Sequence, residues 1–177
     1  MQRSAKHLVT MALFTTIALT IFVIEAQIPV PVPIPGVKLG LANVITLIVL
    51  VKYRARDAAA VLFLRIMLGS VFTGMLVGMI YSLCGGLLCL VGMALLCSLL
   101  KGKHLWFISM IGAVLHNVGQ ILAATIVMQT VHIFSYLPFL LVTGCITGLF
   151  TGLVADRTAR CLSAATASAK GYSQAEQ

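Results

Sequence analysis

The sequence predicts an all-α membrane protein, a polytopic bundle of six transmembrane helices, and three observations carry that reading. Of 177 residues, 60% are hydrophobic and 9% are charged, against about 25% charged in an average soluble domain, and the mean hydropathy is +1.10. The apolar residues fall into segments close to the ~20 residues that cross a bilayer. The basic residues lie in short clusters between those segments, where membrane chains carry their topology signals. No polar stretch is long enough for a second folded unit, so residues 1–160 read as one transmembrane domain and 161–177 as a short cytoplasmic tail.

The first helix is expected near residues 7–28. Its basic start and apolar core resemble a secretory signal, but the apolar run over residues 8–24 exceeds the roughly 7–15 residues of a signal core. Similar segments follow it, and it reads as a retained span. Next comes PVPVPIPG, where Pro29, Pro31, Pro33 and Pro35 alternate with aliphatic residues and Gly36 releases the chain. Proline removes backbone donors and holds φ near the polyproline value, so this segment is stiff and cannot prolong the helix before it. Pro31, Pro33, Pro35 and Gly36 are the expected gating loop over the outer face.

Further helices are expected near 37–52, 57–73, 78–100, 104–129 and 136–156. Residues 58–100 contain no charge except Arg65, so the division between the third and fourth helices rests on the turn signal in TGMLVG. The polar residues after Lys170 read as disordered. With six spans and a cytoplasmic N-terminus, Arg3, Lys6, Lys52, Arg54, Arg56, Lys101, Lys103, Arg157, Arg160 and Lys170 fall inside, and Lys38 alone falls in an outside loop. That bias places both termini in the cytoplasm.

Composition also excludes functions. The net charge of +8 is spread over interhelical clusters and does not line one soluble face, so nucleic acid is not an expected partner. The five cysteines form no CxxC pair and, apart from Cys161, sit inside apolar runs as small packing residues. The two aspartates and two glutamates are all singletons, and there is no glycine-rich phosphate loop, so no catalytic residue is assigned. His116 has no second ligand at metal spacing on its helix, and neither a metal nor another cofactor is expected. In the last helix Gly144, Gly148 and Gly152 recur every four residues, each after a threonine. This is a ridge that lets another helix approach closely.

The informative residues are the polar ones at membrane depth: Glu25, Lys38, Asn43, Arg65, His116, Asn117 and Gln120. At about 1.5 Å rise per residue, Arg65 lies about 12 Å from the cytoplasmic end at Asp57 and His116 about 18 Å from that at His104, both near mid-membrane. An unpaired arginine there costs about 2.5 kcal/mol or more, so Arg65 should face the interior and find a carboxylate, a carbonyl or an anionic ligand. Glu25 is the only acid in the outer half. One pair would use it up, leaving Lys38 or Arg65 as a surplus cation. Lys38, Asn43, Arg65, His116, Asn117 and Gln120 are therefore the candidate substrate-binding residues, for a small molecule with an anionic or strongly accepting group. The alternative for Arg65 is an internal tie that fixes packing, and for HNVGQ an interhelical amide network.

The motifs PGVKLGLANVITL, FLRIMLGSVFTG, SMIGAVLHNVGQ and YLPF, in that order over about residues 8–156, resemble the bacterial Gx transporter family proteins, also labelled heptaprenyl diphosphate synthase component I. That family is similar in turn to the S components of energy-coupling-factor transporters, six-helix bundles that bind a small molecule from the outer side. The resemblance implies one of two functions. The first is substrate capture in the membrane, served by an energising module. The second is a non-catalytic membrane subunit beside a catalytic prenyl diphosphate synthase subunit in menaquinone or isoprenoid synthesis. Membrane lipid is a contact in either case.

Overall fold

The computed structural model describes residues 5–28 and 37–175, with side chains through 164. The gating segment Pro31, Pro33, Pro35 and Gly36 lies outside the described residues. The chain folds into helices α1 (Ala5–Glu25), α2 (Asn43–Lys52), α3 (Ala55–Thr73), α4 (Leu76–Leu99), α5 (Leu105–Met128) and α6 (Leu137–Ala175), with a 3₁₀ turn at Val131–Tyr136 leading into α6. No strand occurs among the described residues.

Four of these helices, α1, α4, α5 and α6, are long and apolar enough to cross a membrane. Their outward faces are apolar: Leu8, Val9, Leu95, Ile126, Val142 and Phe150 are all more than half exposed. A soluble monomer rarely exposes so continuous an apolar surface, whereas hydrocarbon covers it without cost. The chain is accordingly an integral membrane protein. In α1 the inward residues Phe14, Ala18, Phe22 and Glu25 follow helical spacing, and the remaining faces point outward.

α2 departs from the expected span over 37–52. Its 10 residues rise about 15 Å, half the thickness of a hydrocarbon core. Every residue from Asn43 to Val49 is buried, and the helix is packed against α1, α3, α4, α5 and α6. A helix apolar all round belongs inside a bundle, and α2 is the internal post around which the others stand. Residues 37–40 approach it as non-helical chain.

The expected turn between the third and fourth helices is present. Gly74 closes α3 in the left-handed region at φ 68°, where only glycine is unstrained, and its N–H bonds Val71 O at 3.3 Å. α6 differs from the expected 136–156 by continuing as helix through Ala175, residues read from sequence as ending in a disordered tail. Its 39 residues make a rod of about 58 Å. His7 with Asp57, Tyr53 with the rings of His7 and Phe14, and Lys52 with Ser163 gather the start of α1, the α2–α3 turn and the extension of α6 at one end of the bundle.

The glycine ridge packs α6 on α5. A Cβ on Gly148 would lie 2.7 Å from Met110 Cα, and one on Gly144 2.6 Å from Asn117 Nδ2. α4 meets α5 by the same device, since a Cβ on Gly119 would lie 2.8 Å from Gly85 Cα. Small residues let backbones touch where no hydrophobic force drives helices together.

Candidate functional site

The site is built at the head of α2. The α2 N-terminus carries no side-chain cap of its own, and the orphan N–H groups there are taken by Glu25 at the end of α1. Its Oε1 accepts from Gly40 N and from Leu41 N at 3.1 Å, and its Oε2 from Ala42 N at 3.5 Å. A carboxylate in a turn of backbone donors at a helix start is held both by those bonds and by the helix dipole. Gly40 makes the turn possible. It sits at φ 83°, and a Cβ there would lie 2.8 Å from Asn43 Nδ2 and 2.9 Å from the His116 ring.

Arg65 reaches the same place from α3. It is 2% exposed, and its Nη2 donates to Asn43 Oδ1, tying the middle of α3 to the first residue of α2. Lys38, 5% exposed, lays its ammonium over the Phe22 ring, 3.2 Å from the centroid. That cation–π contact is shaped by Gly69 on α3, where a Cβ would collide with the Phe22 ring. α5 supplies the third wall. With its amide turned to satisfy its neighbours, Gln120 donates to Lys38 O at 2.8 Å and accepts from Lys38 N at 3.3 Å and from His116 Nε2 at 3.2 Å. Gln120 is fully buried, and the chain at Lys38 is fastened to α5 much as one strand is to another.

Lys38, Asn43, Arg65, His116 and Gln120 are thus brought together as the sequence suggested. Asn117 is not. One residue round the helix from His116, it faces α6 and donates Nδ2 to Leu140 O at 2.5 Å, so it serves the α5–α6 contact. The expected Glu25 ion pair is also absent among the described residues: the carboxylate is occupied by backbone, and neither Lys38 nor Arg65 lies within ion-pair distance of it. Three residues escaped the sequence-based assignment. Glu25 was placed beside the site and is its anchor. Ser82, next to Tyr81 in the apolar run of α4, faces the cluster, and nothing in the sequence set it apart from Tyr81 or Ser98 on the same helix. Phe22 gave no signal.

Between these side chains lies a cavity of about 10 Å³, lined by Phe22, Glu25, Lys38, Arg65, Ser82 and His116 among others. That is room for about one water molecule, so the site is closed around its polar groups. Arg65 Nε, Asn43 Nδ2 and Ser82 Oγ have no hydrogen-bond partner among the described residues. The arrangement is rich in donors and carries two cations against one carboxylate. It is suited to holding negative charge and offers no paired acids for proton transfer or metal binding.

Residues 14–158 match the family model described as heptaprenyl diphosphate synthase component I, and the chain belongs to that family. No curated protein and no solved structure matches it.

Proposed function

As a member of the component I family, we propose, the chain is the non-catalytic membrane subunit of a heptaprenyl diphosphate synthase, working beside a separate catalytic subunit and receiving its lipophilic product at the bilayer. The observation that carries this reading is the family match over residues 14–158. The sequence supports the division of labour. Elongation of a prenyl diphosphate needs clustered carboxylates to hold magnesium on the diphosphate, and the four acids of this chain, Glu25, Asp57, Asp156 and Glu176, are scattered along it. An apolar groove of about 440 Å³ between α4 and α5, lined by Leu87, Leu88, Val91, Leu122 and Ile126, suits a hydrocarbon tail. In this reading the chain crosses a bacterial cytoplasmic membrane six times, the second time by α2 together with the non-helical chain leading into it, and both termini are cytoplasmic. Co-expression tests the function. A soluble partner bearing aspartate-rich motifs should gain heptaprenyl diphosphate synthesis when this chain is added, and no change in rate or product length would contradict the proposal.

The buried cationic cluster favours a second reading, capture of a small anionic molecule from the outer side in the manner of an S component, with an energising module as partner. Under it, purified protein carries an anionic metabolite detectable by mass spectrometry after extraction. Purified protein that is free of any such molecule, alongside a gain of synthesis with the partner, decides for the subunit reading.

A further inference from the structure

The polar cluster at the head of α2 is unbalanced in charge, and no further acid balances it among the described residues. Lys38 and Arg65 are both buried, and the one carboxylate beside them, Glu25, is engaged by three backbone N–H groups. The chain has only three other acids. Asp57 is bound at the far end of the bundle with His7, Asp156 pairs with Arg160 on α6, and Glu176 falls outside the described residues. The segment 29–36, PVPVPIPG, contains no charged residue that could serve. The cation–π contact with Phe22 offsets part of the cost of Lys38, but a net positive charge in a low-dielectric interior calls for a counter-ion.

The geometry also supplies the coordination. Arg65 Nε and Ser82 Oγ, each on a side chain 98% buried or more, and Asn43 Nδ2 are polar groups without a partner among the described residues. Arg65, Ser82 and Lys38 line the same cavity. We propose that this cavity is a binding site for one small monovalent anion of halide size, held by Lys38, Arg65 and Ser82. The size follows from the space. A cavity of about 10 Å³ admits one water-sized body, and among anions a single halide comes nearest to that size. A phosphate, with four oxygens about its centre, would force the helices apart. The inference goes beyond both functional readings, because a resident ion completes the closed cluster whichever of them holds.

The test is thermal unfolding of the purified protein in detergent, in sodium gluconate, chloride, bromide and phosphate at matched ionic strength. Chloride and bromide should raise Tm with concentration as a ligand bound only by the folded state does; at 100 times its Kd such an ion multiplies the folding constant by about 100. Lys38→Met removes the surplus charge, so its Tm should ignore halide and in gluconate equal or exceed that of the native protein. Ser82→Ala, which leaves the charge unchanged, should need more halide for the same shift. Crystals grown in bromide should give an anomalous peak among Lys38, Arg65 and Ser82, a result that holds even if Lys38→Met fails to fold. Identical native melting in gluconate and halide, a full halide shift retained in Lys38→Met, or a shift with phosphate alone would each overturn the assignment.

Discussion

The α5–α6 seam and the head of α2 both carry polar atoms inside an apolar bundle, and they treat them in opposite ways. Along the seam Thr143, Thr147 and Thr151 return their hydroxyls to carbonyls of α6, at 2.8 to 3.3 Å, and Ser109 meets Thr151 at 3.0 Å. No charge is buried there, and the glycines bring the backbones into contact. At the head of α2 a carboxylate, a guanidinium and an ammonium are buried around one small cavity, with donors left over. The seam is what a bundle needs in order to stand. The cluster costs stability and is explained by something it binds.

Breaking the seam should have the largest effect. Gly148→Leu places a side chain against the Met110 Cα and Ser109 O backbone atoms, 2.7 and 3.0 Å from the new Cβ. Neither can yield, and a loss of about 3 kcal/mol or more is expected, seen as a collapsed melting temperature in detergent. A Gly148→Leu protein that melts with the native one would remove the seam from the account.

Glu25→Gln should come next. The amide keeps one acceptor oxygen but loses the charge that three N–H groups share, at an expected cost of about 2 kcal/mol, the scale of charge-assisted hydrogen bonds. The loss should be local, so amide hydrogen exchange at Gly40, Leu41 and Ala42 should quicken ahead of that in α5. Uniform acceleration across the bundle would argue against Glu25 as the cap of α2. Thr147→Val should do least. Its hydroxyl bonds only Thr143 O and Gly144 O of its own helix, and a nearly isosteric swap should change stability by no more than about 0.5 kcal/mol. A larger drop would mean that the hydroxyl bonds across the seam.

The same contrast separates what could be read in the sequence from what could not. Glycines at four-residue spacing announce a ridge whatever they touch, and Gly74 in TGMLVG announces a turn, because each signal is local. His116 and Gln120 were legible as one helical face for the same reason. Asn117, adjacent in sequence, was drawn into the cluster by its polarity, although its position about 100° round the helix sends it to α6. α2 read as a span because apolar composition is the same for a helix in lipid and a helix enclosed by protein. The partners of Glu25 could not be foreseen at all: they are backbone N–H groups, which every sequence offers everywhere. The residues after Lys170 were read as disordered, whereas α6 continues through Ala175, and alanines at 164, 165, 167, 169 and 175 favour helix.

Arg65→Lys tests the central claim most directly, that the cluster serves function and the seam serves the fold. Lysine keeps the charge and loses the planar fork that reaches Asn43. Melting temperature in detergent and heptaprenyl diphosphate synthesis with the catalytic partner should be measured on the same preparation. The account predicts a fall in synthesis of at least about tenfold with less than about 1 kcal/mol lost from stability, a shift of about 2–4 °C or less. A clearly lowered melting temperature, with full activity in the protein that remains folded, would contradict it and make Arg65 a tie between helices.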